Sequence, residues 1–300
     1  MEYKTLGKTN LKVSRLGIGL VKIGEEQMLS QLEKSQLLLD TALDNGINFL
    51  DTAACYGNSE EVIGETVAHR RDEYILASKA GHSVGDQNSE AWTAETIISS
   101  VERSLKRMKT EYLDLIQLHT CSVETLVKGE VIKALQGLKK SGKARFIGYS
   151  GDEEAAQWAV ESDLFDTLQT SLNLVDQHSL SYIGDAQKKQ MGVIIKRPIA
   201  NGIWDANIAK SAAPNSYANR AKLMKTLGPI IDAPENYQEL ALGFVLTNPN
   251  VDTAIVGTGN THHLIENINI ANSNQQLNSS TMEDLIQRFN KFDDGWLGET

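Results

Sequence analysis

Cysteine is nearly absent from this chain of 300 residues, which carries only Cys55 and Cys121. Two cysteines cannot build the disulfide framework on which small secreted proteins depend. They fit a reducing compartment, so we expect a cytoplasmic protein. The chain is also long enough to fold without disulfide bonds, because a chain of this size with 41% hydrophobic residues can bury about three quarters of its unfolded surface.

Long apolar runs and an excess of positive charge are missing as well. No stretch approaches the roughly 20 residues that a membrane-spanning helix requires, and the polar start Met1–Lys4 is unlike a secretory signal. The 29 lysines and arginines are outnumbered by 39 aspartates and glutamates, for a formal net charge of −10. Nucleic-acid binding depends on basic residues that neutralise phosphates. We therefore expect neither a membrane nor a nucleic acid as a partner.

Short apolar runs alternate with amphipathic, helix-like segments along the whole chain, with no linker or low-complexity stretch. Continuous apolar runs of this length are typical of strands buried on both faces. Eight of them, each followed by a helix, favour an α/β fold, a (β/α)8 TIM barrel in one domain over residues 1–300. A doubly wound sheet is the main rival, but the pairs Gly17/Gly19 and Gly257/Gly259 lack the third glycine of a GxGxxG turn. The predicted strands are Arg15–Gly19, Asn48–Asp51, Tyr74–Lys79, Leu113–His119, Phe146–Ser150, Thr167–Ser171, Gly192–Arg197 and Thr253–Gly257.

An N-terminal β-hairpin precedes the first predicted barrel strand. Tyr3–Leu6 and Lys12–Ser14 flank the turn Gly7–Asn10, and we expect this hairpin to close the barrel floor. Two segments, Ala200–Glu235 and Asn278–Thr300, exceed what a barrel needs, and long excursions at strand ends commonly shape a pocket. Helices are predicted at Leu32–Asn45, Asp152–Glu161, Tyr182–Lys189, Tyr237–Asn248 and Thr261–Ile270, with Gly46 ending the first.

Four proton-handling side chains lie at or just beyond predicted strand ends, namely Asp51, Tyr56, Lys79 and His119. Taken singly, each has an ordinary structural interpretation as a cap, a packing residue or a solvated strand end. Strand ends of parallel β/α proteins open to ligand, however, so four on neighbouring strands can converge on one pocket. There a lysine ammonium would lower the pKa of a phenol from about 10, and Asp51 would keep Lys79 charged. A neutral His119 would donate a hydrogen bond to a carbonyl. The group suits protonation of an oxygen while a hydride arrives at its carbon, which requires a cofactor.

The stretch NFLDTAACYGNSE at Asn48–Glu60 resembles the signature of the aldo-keto reductase superfamily. The resemblance implies a TIM barrel that binds NADP(H) across the strand-end face without a Rossmann domain. It also implies reduction of a small-molecule aldehyde or ketone, with Tyr56 as general acid/base, Lys79 and Asp51 tuning it, and His119 orienting the carbonyl. The similarity continues in order at Leu6–Ser14, Ile75–Lys79, Asp114–His119, Gly142–Ser150 and Ile255–Asn267.

The resemblance extends to residues that would hold the nicotinamide half of the cofactor. Ser150 and Gln169 match residues that bond the carboxamide, and Leu20 matches a backbone contact near the ribose. Lys196 stands where many members have an aromatic ring stacked on the nicotinamide. Its alkyl stem can still cover the ring face, and its ammonium is within expected reach of the pyrophosphate.

The adenine half would lie after the last barrel strand, where backbone amides at a helix start form a natural phosphate site. Glu266 and Asn267 match adenine contacts in the family. Members usually place a lysine or arginine on the 2′-phosphate here, whereas this chain offers Gly257, Asn260 and His263. NADPH is the first choice on family grounds, and NADH use stays open. Further implied cofactor contacts are Arg197, Pro198, Ile199, Thr258 and Gly259.

Two alternatives to a reductase remain. A nicotinamide-binding regulatory or redox-sensor subunit would keep the barrel with little turnover. A barrel hydrolase would need a metal cluster or paired carboxylates at strand ends, and the sequence offers neither. His178 and the pair His262/His263 complete no metal-site spacing, so we predict no metal. Cys55 and Cys121 are interpreted as small packed residues rather than redox sensors.

The substrate and the oligomeric state are not specified by the sequence. Trp92, Trp204 and Trp296 lie in segments that could wall the expected pocket, and ordinary packing is the equal alternative for each.

Overall fold

A computed structural model describes residues 1–83, 90–203, 216–273 and 276–299 of the chain. Its strands are β1 (Tyr3–Thr5), β2 (Lys12–Ser14), β3 (Leu16–Gly19), β4 (Phe49–Asp51), β5 (Ile75–Ala80), β6 (Leu113–His119), β7 (Ala144–Ser150), β8 (Thr167–Ser171), β9 (Gly192–Lys196) and β10 (Thr253–Gly257). Strands β3 to β10 pair in parallel with their neighbours, and β10 pairs with both β9 and β3, which closes a barrel. The (β/α)8 prediction is confirmed, with strand bounds that differ from the predicted ones by at most two residues.

The hairpin of β1 and β2 closes the floor of this barrel, as predicted. The two strands pair antiparallel, with Tyr3 opposite Ser14. Its turn is joined to the barrel because the backbone N–H of Lys8 donates to the carbonyl of Gln190, just before β9. Apolar residues of the hairpin and of the barrel interior form one buried cluster, which excludes water from this end. Its members are Leu6, Leu11, Val13, Phe49, Ile75, Ala77, Leu115, Ile194 and Ile255.

Helices cover the outside of the barrel. Each of the five predicted helices is present with bounds within two residues of the prediction, and Gly46 follows the first with a φ of +84°. No helix in the described ranges is long and apolar enough to cross a bilayer. The helices are α1 (Glu26–Leu29), α2 (Leu32–Asp44), α3 (Ser59–Thr66), α4 (Ala94–Arg107), α5 (Val123–Lys128), α6 (Glu130–Lys140), α7 (Glu153–Ser162), α8 (Leu180–Lys188), α9 (Tyr217–Lys225), α10 (Tyr237–Thr247), α11 (Thr261–Asn272) and α12 (Ser279–Phe292).

The chain beyond α12 is tied to the loops that follow β7 and β8. The backbone N–H of Gly298 donates to the carboxylate of Glu153 at 2.8 Å. His178 lies between two acids, with Nδ1 3.4 Å from Asp176 and Nε2 2.9 Å from Asp293. The hydrogen bond to Asp176 is the largest influence on the imidazole, and together the two carboxylates raise the pKa of His178.

We predict that this tie weakens at alkaline pH. The folded pKa of His178 lies above its unfolded value of about 6.5. Its contribution to stability is therefore complete below that value and is lost as the pH rises through the raised folded pKa. The unfolding temperature of the wild type should exceed that of His178→Gln most clearly in mild acid, and the gap should close in alkali. Thermal unfolding followed by circular dichroism measures it, with the exposed His69→Gln as control. A gap that does not change with pH would contradict the assignment.

Candidate active site

Asp51 and Lys79 form a buried ion pair where β4 and β5 end. Lys79 Nζ lies 2.6 Å from Asp51 Oδ2, and each side chain is 2% exposed. The ammonium also donates to the carbonyl of Thr52 at 2.9 Å. Burial lowers the pKa of Lys79, but the charge of Asp51, together with Tyr56 and the hydrogen bond, outweighs it, so the pKa lies above its ordinary value. The amine is therefore held charged, as the sequence predicted.

Tyr56 is carried by a tight turn that follows β4 and packs backbone to backbone against the loop after β3. The N–H of Asn58 donates to the carbonyl of Gly24 at 3.0 Å. A Cβ on Gly24 would meet the carbonyl oxygen of Tyr56 at 1.9 Å, and Gly57 has a φ of +51°. Only glycine meets both demands without strain, so these two glycines fix where the tyrosine side chain begins.

Tyr56 and Lys79 are in contact. The ammonium lies 4.9 Å from the centroid of the tyrosine ring. Burial is the largest influence on the phenol and raises its pKa, while Lys79 lowers it through its charge and a hydrogen bond. The net direction is upward. The sequence-based expectation of a lowered pKa is therefore wrong in sign, because burial outweighs the nearby ammonium.

His119 completes the group predicted from the sequence. Its ring lies edge-on to Tyr56, with centroids 5.6 Å apart. Nδ1 lies 3.3 Å from the sulfur of Cys55, and the ring of His82 is 5.0 Å away. Burial and the charge of Lys79 lower the pKa of His119 to about 2. The imidazole is therefore neutral at physiological pH, as predicted, and carries one N–H donor.

Ser150 and Gln169 extend the polar group across the barrel. Ser150 Oγ donates to Gln169 Oε1 at 2.7 Å, and Gln169 Nε2 donates to Asp51 Oδ1 at 2.8 Å. Both oxygens of Asp51 therefore accept a hydrogen bond, one from the amide and one from Lys79. The ends of β4, β5, β7 and β8 thus share one buried network.

Lys196 and Arg197 meet Asp152, which sequence reasoning did not single out. Lys196 Nζ lies 2.6 Å from Asp152 Oδ2, and Arg197 Nη1 lies 3.8 Å from the same oxygen. Asp152 also accepts from the backbone N–H of Ser171 at 2.7 Å and from the hydroxyl of Thr170 at 2.9 Å. The Lys196 ammonium, expected near a pyrophosphate, is thus directed at a carboxylate. Asp152 could have been singled out from the sequence, because it is an acid two residues beyond the predicted strand that ends at Ser150.

A cavity of about 470 Å³ lies beyond the end of β10, at the start of α11. It brings together six residues predicted from the family pattern with four that were not. Asn267 lines this cavity and is 4% exposed. The lining residues are Ile199, Gly202, Tyr237, Gln238, Val256, Gly257, Thr258, His263, Glu266 and Asn267.

Residues 15–287 match the family model described as the aldo/keto reductase family. The chain belongs to this family. An uncharacterized oxidoreductase of Bacillus subtilis, YqkF, is 30% identical over 96% of this chain and 99% of its own length. The L-glyceraldehyde 3-phosphate reductase of Escherichia coli O157:H7 is 28% identical over 99% of the chain and 94% of its own. The holo form of an aldo-keto reductase from Bacillus halodurans, AKR11C1, has a TM-score of 0.81 at 25% identity, covering 96% of each chain.

The remaining residues that the aldo/keto reductase pattern assigns to a cofactor lie along the same strand-end face. Leu20 is fully buried, and its backbone N–H donates to the carbonyl of Asp51 at 2.9 Å. The side chain of Asn260 caps α11 by accepting from the N–H of His262 at 2.8 Å. Pro198 is buried and Gly259 exposed. Their contacts to a cofactor stay predictions.

Of the three tryptophans expected near the pocket, one lies beside the candidate site and one packs elsewhere. Trp92 packs edge-on to His82, with centroids 4.9 Å apart, and so borders the recess beside His119. Trp296 instead packs on Phe289 of α12. Trp204 lies outside the described residues. Of the two predicted excursions, the parts that the structure describes contain α9 and α12.

The described part of the chain contains no candidate metal site, because no three His, Cys, Asp or Glu side chains lie close enough together to hold a metal ion. The absence of a metal stays a prediction.

The network predicts a large stability cost for removing one charge of the buried pair. In Lys79→Met the carboxylate of Asp51 stays buried without its cation, and such changes cost about 3–5 kcal/mol. The double variant Lys79→Met/Asp51→Asn should recover part of this loss, because no unpaired charge remains. Denaturant unfolding measures both. Lys188→Met, which removes an exposed ion pair with Asp185, is the matched control and should leave stability unchanged. A wild-type-like Lys79→Met would refute the account.

Proposed function

We propose that this aldo/keto reductase reduces aldehydes or ketones to alcohols with NADPH, and that Tyr56 donates the proton. The observation that carries the proposal is the contact of Tyr56 with the buried Lys79–Asp51 pair, with a neutral His119 beside the ring. A phenol, an ammonium and an uncharged imidazole form a proton donor next to a hydrogen-bond donor, which suits a carbonyl oxygen that gains negative charge.

The residues present fit a dinucleotide cofactor. The cavity beyond β10 would offer the amide of Asn267 and the carboxylate of Glu266 to an adenine, with exposed backbone at Gly257. At the other end, Ser150 and Gln169 would hold the nicotinamide carboxamide. When bound, the reduced nicotinamide would supply a hydride to the carbonyl carbon.

The chain's own residues would handle the proton. Tyr56 carries its proton at neutral pH, as a phenol with a pKa of about 10 does, and burial raises that pKa further, so the side chain is ready to act as an acid. Lys79 stabilises the phenolate that remains, and Asp51 holds Lys79 in place through both a charge and a hydrogen bond. His119 would donate from Nε2 to the same substrate oxygen and set the orientation of the carbonyl.

Replacing the proton donor should separate chemistry from binding. Tyr56→Phe removes the hydroxyl group that would donate the proton. General acid catalysis contributes about 100-fold or more to a rate. We expect kcat to fall by at least about 100-fold while the Kd for NADPH, measured by fluorescence titration, stays unchanged. Tyr112→Phe, before the floor end of β6, is the control and should keep full activity. A fully active Tyr56→Phe would refute the assigned role.

The cofactor preference is proposed to depend on His263. This is the basic side chain among the described residues lining the adenine-side cavity, and a hydrogen bond to a charged phosphate contributes about tenfold or more in affinity. We expect higher kcat/KM with NADPH than with NADH, and a roughly tenfold smaller preference in His263→Ala. His69→Ala is the control, because His69 is exposed and lies outside that lining. Steady-state rates with both cofactors decide the matter, and a preference for NADH in the wild type would overturn the choice.

The regulatory alternative predicts a different result in the same assays. It requires tight NADPH binding without reduction of any compound in a broad carbonyl panel. The presence of all four proton-handling residues in one cluster favours the enzyme.

A further inference from the structure

Cys55 lies one residue before Tyr56, and its side chain contacts the ring of His119. Its sulfur is 3.3 Å from Nδ1 of the imidazole. The other ring nitrogen, Nε2, has no hydrogen-bond partner within the described residues. The ring lines a small recess together with Cys55, Lys79 and His82.

Both groups are uncharged at neutral pH. Burial and Lys79 lower the pKa of His119 to about 2, and burial raises the pKa of the Cys55 thiol. The contact therefore joins a neutral imidazole, which carries one N–H and one lone pair, to a thiol that retains its proton.

Two arrangements of the protons are possible across this contact. In one, the thiol donates to the Nδ1 lone pair and the ring proton sits on Nε2. In the other, Nδ1–H donates to sulfur and Nε2 has a bare lone pair. Sulfur is weak both as a donor and as an acceptor, and the first arrangement gives the good acceptor of the pair, the Nδ1 lone pair, a donor within this contact. It is also the one that leaves a donor facing the recess.

We propose that Cys55 is a positioning residue that donates its S–H to Nδ1 of His119 and so holds the imidazole as the Nε2–H tautomer. Which ring nitrogen carries the proton is set by the hydrogen bond that the other one makes. A substrate carbonyl oxygen then meets two donors, the Tyr56 hydroxyl and Nε2–H, and no competing lone pair. This catalytic consequence rests on the proposed reductase function, whereas the tautomer itself does not.

Nuclear magnetic resonance of the histidine ring nitrogens tests the tautomer directly. The full-length protein, labelled with the heavy nitrogen isotope, is measured at neutral pH, and a His119→Gln variant assigns the signal among the six histidines. We expect Nε2–H in the wild type and in Cys55→Ser, which retains a donor, and a mixture of tautomers in Cys55→Ala. Cys121→Ala is the matched control, because Cys121 is buried on the core side and should leave the His119 signal unchanged.

Kinetics provide the second readout. Loss of one hydrogen bond should lower kcat/KM for carbonyl reduction about tenfold in Cys55→Ala, with recovery in Cys55→Ser and no change in the Kd for NADPH. A wild-type His119 protonated on Nδ1, or a Cys55→Ala protein with the wild-type tautomer, would overturn the role of Cys55. A wild type inactive on every carbonyl would overturn the proposed function, while the tautomer in Cys55→Ala would still decide the role of Cys55.

Discussion

The buried ion pair of Asp51 and Lys79 is the interaction on which the site depends. A carboxylate and an ammonium removed from water are costly unless each finds its partner and further hydrogen bonds. Here the carboxylate accepts from Lys79 and Gln169, and the ammonium also reaches the carbonyl of Thr52. The strands β4, β5 and β8 are thereby held in one register at the end that carries Tyr56. The barrel and the site stabilise each other because the same atoms serve both.

The sequence predicted the barrel and the meeting of the four proton-handling residues because both follow from local patterns. Strand ends of a parallel barrel share one face, so Asp51, Lys79 and His119 had to converge if the strands were assigned correctly. The family signature placed Tyr56 one turn further. The floor hairpin was also predictable from a local pattern, because two short segments flank the turn Gly7–Asn10.

Pairings between distant elements were not predictable. Asp152 and Lys196 form an ion pair across β8. The sequence around either residue does not indicate which oppositely charged residue will be its partner. The sign of the Tyr56 pKa shift was wrong because the extent of burial depends on how loops close over the ring. Helices α9 and α12 were among those missed, and they pack on each other.

The raised pKa of Tyr56 also bears on the direction of the proposed reaction. A phenol that keeps its proton at neutral pH is prepared to give it to an alkoxide, which is the step that reduction requires. Oxidation of an alcohol requires the phenolate, and that form becomes populated only as the pH rises towards the raised pKa. Lys79 limits the cost of the phenolate without abolishing it, because the ammonium also binds Asp51 and Thr52. Burial therefore raises the pH at which the phenolate needed for oxidation becomes populated.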